Sequence, residues 1–108
     1  MNDLPNIVQQ VAEEKPDLWA AFNELGKTLA ESGPLDPRTQ RLIKISMAIG
    51  AGLEGAAHSH CRKALEAGCS PEDLRHVAVL STPTIGFPTM MRAKSWVEDV
   101  VAKQDDAS

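Results

Sequence analysis

The segment Glu54-Gly55-Ala56-Ala57-His58-Ser59-His60-Cys61 gathers a carboxylate, two imidazoles and a thiol within eight residues. If it is helical, at about 100° per residue, Glu54, His58 and Cys61 share one face at i, i+4 and i+7. His60 then points about 200° away from His58. The segment therefore offers two polar faces rather than one His-x-His chelate. On the first face a carboxylate can orient an imidazole, which then acts as a base or activates a thiol. The competing reading is a salt-linked helix surface or a polar subunit contact. His60 works either as a proton donor and acceptor or as a packing histidine with one nitrogen bonded to backbone. Cys61 is a candidate reactive thiol, although a cysteine on an alanine-rich helix is otherwise buried and inert. Glu54 and His58 also supply two metal ligands at i, i+4. A third would have to come from elsewhere, from His76 or a neighbouring subunit. Two-ligand matches on helices arise by chance, so no metal and no cofactor is expected.

Those side chains need helices to position them, and helix punctuation is dense. Asn6 to Glu14 reads as a short polar helix that stops before Lys15-Pro16. Asp17 to Glu31 carries Leu18, Phe22, Leu25 and Leu29 at helical spacing, with Trp19 beside them, and Ser32-Gly33-Pro34 ends it. Asp36-Pro37 opens a third helix as cap and first-turn proline, running from Arg38 to about Gly50. Leu42, Ile43, Ile45, Met47, Ala48 and Ile49 cover most of its circumference, which predicts burial, in part by another subunit. Gly50-Ala51-Gly52 is a weak point where the helix ends or bends. A fourth helix spans about Leu53 to Ala67, with Gly68 as a left-handed cap. Ser70-Pro71-Glu72-Asp73 starts a fifth, with Leu74, Val77, Ala78 and Leu80 as its apolar stripe, and Thr82-Pro83 breaks it. Gly86-Phe87-Pro88 opens the last helix, with Met90, Ala93, Val97 and Val100 inward and Trp96 nearby. The polar tail from Gln104 is expected to fray. Trp19, Phe22, Phe87 and Trp96 are expected as core or interface anchors. Met90 and Met91 are read as gap-fillers rather than pocket walls. Tyrosine is absent and no stretch alternates with period two, so no sheet is expected.

The composition sets limits. The 108 residues, 43% hydrophobic and 24% charged, suit one domain over 1–108 with one core. A net charge of -4 without a Lys/Arg cluster argues against nucleic acid as a partner. The apolar stretch Leu42 to Leu53 is too short and too interrupted to span a membrane. The start, Met1 to Gln10, has no signal-peptide core, and the cytoplasm is the expected location. Cys61 and Cys69 fit a reducing compartment. On one helix they would lie roughly 12 Å apart along the axis, too far for a disulfide. Cys69, between a cap glycine and a capping serine, is read as merely tolerated.

Several stretches together resemble the carboxymuconolactone decarboxylase / alkylhydroperoxidase D-like family. Leu35-Asp36-Pro37-Arg38-Thr39 resembles its Leu-Asp-x-x-Thr opening of the central helix. His60 with Arg62-Lys63-Ala64-Leu65-Glu66-Ala67-Gly68 resembles its histidine helix. Ser70 to Leu74 and Gly86-Phe87-Pro88 resemble its later helix starts. The likeness covers about Leu18 to Val101. It implies an all-α, orthogonal helical domain of five to six helices that forms homotrimers or homohexamers. The family's redox branch uses a glutamate and then Cys-x-x-Cys-x-x-x-His. Here the histidine falls on His60, the cysteines on Leu53 and Ala56, and the glutamate on Arg41. A dithiol peroxidase needs one thiolate to attack and a second to resolve the product. Leucine and alanine do neither.

The expected function is therefore decarboxylase-like: acid/base chemistry on a small carboxylated lactone or related organic acid, with His60, Glu54 and His58 as site residues. One alternative is a degenerate alkylhydroperoxidase or peroxiredoxin-type protein using Cys61 alone. Another is a non-catalytic ligand-binding or accessory oligomer, because fold does not fix function.

Overall fold

Proline, serine and glycine set the corners of the chain. The computed structural model describes residues 5–107, with side chains as far as Gln104. Among the described residues there are seven helices and no strand. They fall into two compact units that divide between Leu35 and Asp36.

The first unit holds α1 (Asn6–Glu14) and α2 (Pro16–Ala30), which pack on each other. Pro16 starts α2 and needs no amide partner there; Asp17 in the first turn and Lys27 in the last suit the helix dipole. Trp19 and Phe22 stack with ring centroids 6.1 Å apart. Neither helix buries a residue fully, and the α2 stripe of Leu18, Phe22, Leu25 and Leu29 is 55–61% exposed. Phe22 is thus not a core anchor within the chain. Helical periodicity is sufficient to place the stripe but not to say what covers it.

The second unit holds α3 (Pro37–Ala51), α4 (Glu54–Glu66), α5 (Pro71–Leu80), the single turn α6 (Thr82–Ile85) and α7 (Phe87–Ala107). Asp36 caps α3: one carboxylate oxygen accepts from the Thr39 amide at 2.8 Å and the other from its hydroxyl at 3.1 Å. Gly52, at φ 72°, turns the chain left-handed and lets the Leu53 amide donate back to the Ala48 carbonyl at 2.9 Å. The glycine-rich weak point is therefore a clean corner, and α4 begins two residues later. Ser70 and Asp73 form a reciprocal capping box on α5. Arg38 donates to the same Asp73 carboxylate at 3.0 Å, which joins the starts of α3 and α5.

α3 packs on α4 and α5, and α7 lies against α4, α5 and α6. Their common core contains Ile45, Ile49, Cys61, Ala64, Leu74, Ala78, Ala93, Val97, Val100 and Val101. Cys69 belongs to it as well, buried with its Sγ 3.9 Å from the Arg38 carbonyl, so it is a core residue rather than a tolerated one. A second small cluster joins Ala48, Ala57 and Trp96 where α3, α4 and α7 meet. Alanines on the buried stripe let these backbones approach closely. Arg75 on α5 donates to both carboxylate oxygens of Glu98 on α7, at 2.8 and 3.0 Å, and Lys94 joins them. Arg75 first, then Lys94, hold the Glu98 carboxyl down at about 2.

Thr82-Pro83 marks the end of α5, which stops at Leu80, and it also opens a further turn: Pro83 sits in the first turn of α6, where its missing amide is harmless. The segment from Gln104 continues α7 as far as Ala107. Phe87 and Met47 are 59% and 65% exposed, so the all-round apolar face of α3 and the start of α7 are not fully covered by this chain. Among the described residues, no helix is long and apolar enough to cross a membrane.

Candidate functional site

α4 is the helix on which the candidate residues stand. Its start is set by Gly52, and Glu54 in its first turn meets the positive end of the dipole. Its buried stripe is Ala57, Cys61 and Ala64. The remaining positions fall on two flanks, as the 100° step requires.

On one flank, His58 Nε2 donates to Asp99 Oδ2 on α7 at 3.1 Å. Glu54 stands one turn before His58. Donor atoms of Glu54, His58 and Asp99 all lie within 4.8 Å of one another. The third member comes from α7, and His76 is an exposed residue of α5 outside this group. Sequence reasoning misses Asp99. Its available signal is position: it follows Trp96 by three residues, and so shares the side of α7 that Trp96 presses onto Ala57.

The other flank carries His60. Its Nδ1 is buried and has no hydrogen-bond partner. Burial, then Lys63, Lys44 and Arg41 in that order, lower its pKa below the ordinary histidine value. Neutral imidazole is thereby favoured near pH 7, with one nitrogen able to accept a proton. Lys63 is itself lowered, first by burial and then by Arg41, Lys44 and Arg62. Two helices thus bring like charges together around one imidazole. Among the described residues, none of Arg41, Lys44 and Lys63 forms an ion pair within 4 Å. Such a group has a net attraction for an anion, and an arginine among the cations suits the planar oxygens of a carboxylate.

The sequence-predicted trio is therefore divided: Glu54 and His58 stand together, and His60 stands apart from them. Cys61 is fully buried between the flanks, and burial pushes its thiol up to about 11, against a smaller opposite effect of Arg62. That environment works against a thiolate nucleophile. Leu53 is exposed and Ala56 half-buried at the positions where the resemblance places the redox cysteines. Both Cys61 and Cys69 are free thiols. A separate cleft of about 340 Å³ opens between α3, α5 and α6, lined mainly by Ile49, Val77, Leu80 and Ile85 with Ser46 and Thr84. Neither His60 nor Met90 and Met91 belongs to its wall.

The chain is similar to known proteins over most of its length. A sequence model described as the carboxymuconolactone decarboxylase family matches residues 16–99. An uncharacterized protein of Methanocaldococcus jannaschii, MJ1511, is 24% identical over 97 residues, covering 90% of this chain and 91% of its own. The crystal structure of apo-lpg0406, a carboxymuconolactone decarboxylase family protein from Legionella pneumophila, superposes with a TM-score of 0.74. That likeness covers 88% of this chain and 85% of the other at 22% identity, and it establishes the shared fold.

Proposed function

The chain belongs to the carboxymuconolactone decarboxylase family, and we propose that it binds a small carboxylated lactone or related organic acid on the cationic flank of α4, with His60 as the proton-transfer group. The observation that carries this reading is the buried, unpartnered Nδ1 of His60 amid Arg41, Lys44 and Lys63. A buried polar atom without a partner costs stability unless a ligand or another chain completes it. The cations hold a substrate carboxylate or carbonyl oxygen. When a carbon–carbon bond breaks and carbon dioxide leaves, its electron pair passes to the carbonyl oxygen as an enolate, which the same cations stabilise. His60, neutral at rest, takes up a proton from water and passes it to the carbon, so that it returns to neutral while the hydroxide left behind adds to the released carbon dioxide as bicarbonate. Glu54 and His58 support the helix from its far flank and touch this chemistry only through α4 itself.

Two further parts of the reading have their own support. The exposed apolar stripe of α2 and the exposed Met47 favour a homo-oligomer, a homotrimer or homohexamer, in which these surfaces are covered. Light scattering that gives 11.7 kDa at micromolar concentration would contradict it. Two buried free thiols favour a reducing compartment such as the cytoplasm. A peroxidase using Cys61 alone is disfavoured by its burial and raised pKa.

The test is calorimetric binding and turnover with a panel of carboxylated lactones and aromatic carboxylates. Wild-type protein is expected to bind at least one. His60→Gln is expected to retain assembly and lose turnover; Arg41→Glu is expected to lose binding. Binding without turnover would identify an accessory oligomer. Loss of assembly in His60→Gln, with binding retained by the folded remainder, would remove His60 from the site.

A further inference from the structure

The second flank of α4 supports an inference that does not depend on His60. The geometry points to a binding site for one divalent first-row cation, held by Glu54, His58 and Asp99.

Four observations converge. First, the donors are chemically matched: one imidazole nitrogen and two carboxylates form a mixed set that suits a borderline ion such as Zn²⁺, and also Mn²⁺ or Fe²⁺. Second, the spacing fits. Two ligands at about 2.0–2.2 Å from one ion stand roughly 3 Å apart. His58 Nε2 and Asp99 Oδ2 already stand 3.1 Å apart, and the three donor atoms lie within 4.8 Å of one another. Glu54 is exposed, and its side chain has free torsions with which to approach an ion. Third, two carboxylates this close repel each other. Among the described residues no Lys or Arg forms an ion pair with either of them. Fourth, the backbone beneath is fixed. Ala57, next to His58, packs against Trp96, one turn before Asp99, and both are buried. Ligands projected from two packed helices keep their spacing better than ligands on a loop. The site faces solvent, so water or a ligand atom can fill the remaining coordination positions, the arrangement of an ion that stays open to exchange.

A simple histidine–carboxylate pair explains His58 and Asp99 alone. It does not call for Glu54, and it gives no preference among metals. The two readings separate in one experiment. Tag-free full-length protein, freed of metal by chelation and dialysis, is titrated with ZnCl₂ by calorimetry beside Asp99→Asn, His58→Gln and Glu54→Gln. All three positions are solvent-accessible, and circular dichroism confirms that the variants fold. One Zn²⁺ per chain is expected. Loss of outer-shell partners alone weakens metal sites by about 10–100-fold, so Asp99→Asn and His58→Gln should each weaken binding by more than about tenfold. Zn²⁺ should raise the melting temperature of the wild type and leave that of Asp99→Asn unmoved. His60→Gln should bind Zn²⁺ as the wild type does, which keeps this result distinct from the reading of the cationic flank. Mg²⁺ should bind more weakly than Zn²⁺, because the imidazole favours the softer ion. The proposal is overturned if the wild type shows no saturable Zn²⁺ binding up to millimolar concentration. It is overturned equally if the three variants bind as the wild type does, or if Mg²⁺ binds as tightly.

Discussion

His58 and His60 are separated by one residue and live in opposite fields. His58 faces two carboxylates, one on its own helix and one on α7. His60 faces Lys63 on its own helix and Arg41 and Lys44 on α3. The helical step of about 100° sends the two rings to different neighbours, and those neighbours determine what each imidazole can do. Near carboxylates an imidazole is a hydrogen-bond donor or a metal ligand; near cations, and half-buried, it is kept neutral and ready to accept. A sequence motif written as His-x-His thus conceals two different environments. Between the flanks runs a stripe too small to separate them by bulk: Ala57, Cys61 and Ala64.

If the cationic flank is the active one, His60→Gln should have the largest effect. Loss of a general acid or base typically costs about 10²–10⁴-fold in rate. A turnover assay on the first ligand found to bind checks this, and an unchanged rate would dissolve the contrast between the flanks.

Enlarging the stripe should damage both flanks together. Ala57 is 1% exposed and touches Trp96, so Ala57→Leu should cost about 1–3 kcal/mol through overpacking. Urea unfolding measures the loss. Binding at both flanks should weaken in the protein that remains folded, and loss at one flank alone would show that the flanks are positioned independently.

The corner of α5 lies outside both flanks and offers a control. Ser70→Ala removes half of the capping box and should cost about 1 kcal/mol. The backbone amide of Ser70, then its hydroxyl side chain and Arg38, lower the Asp73 carboxyl pKa below its ordinary value. A carboxyl whose folded pKa is depressed stabilises the fold above its unfolded pKa. That contribution disappears as the pH falls through the folded value. Stability should therefore decline on acidification below the ordinary value of 3.8, and Ser70→Ala should flatten the decline. Thermal melts from pH 5 downward would show it; equal slopes in both proteins would contradict it.

The smallest expected effect is the sharpest test of the contrast. His58→Gln should leave anion binding at His60 unchanged. A shift of more than about twofold by calorimetry would mean that the flanks communicate, against the additivity expected of sites without shared partners.

Most of the fold is legible because its corners are chemical. Asp36-Pro37, Ser70-Pro71, Gly52 and Gly68 each carry a local reason for a start or stop, and the helices begin and end within a residue or two of them. Thr82-Pro83 marks the end of α5 but does not reveal the turn of α6 that it opens, because proline suits the start of a helix as well as it breaks one. The two polar faces of α4 come from periodicity alone. Their surroundings do not. Asp99 is 41 residues from His58, and Arg41 and Lys44 reach His60 from another helix, so their relation depends on packing that no spacing rule encodes. The resemblance singles out Arg41 as the replacement for a glutamate without saying that it would face His60. Cys69 is undervalued because a residue flanked by two caps looks like a loop, yet this corner is folded over the core.

Those two enclosed thiols give the molecule an internal clock. A water-soluble alkylating reagent cannot reach Cys61 or Cys69 until the protein opens, so the rate of modification counts openings. Cys61 lies mid-helix beneath α3 and α7, whereas Cys69 sits at the hinge between α4 and α5. If both sulfurs react at one rate, the second unit opens as a single cooperative block. If Cys69 reacts first, the α4–α5 corner loosens while the helix bearing both histidines stays shut.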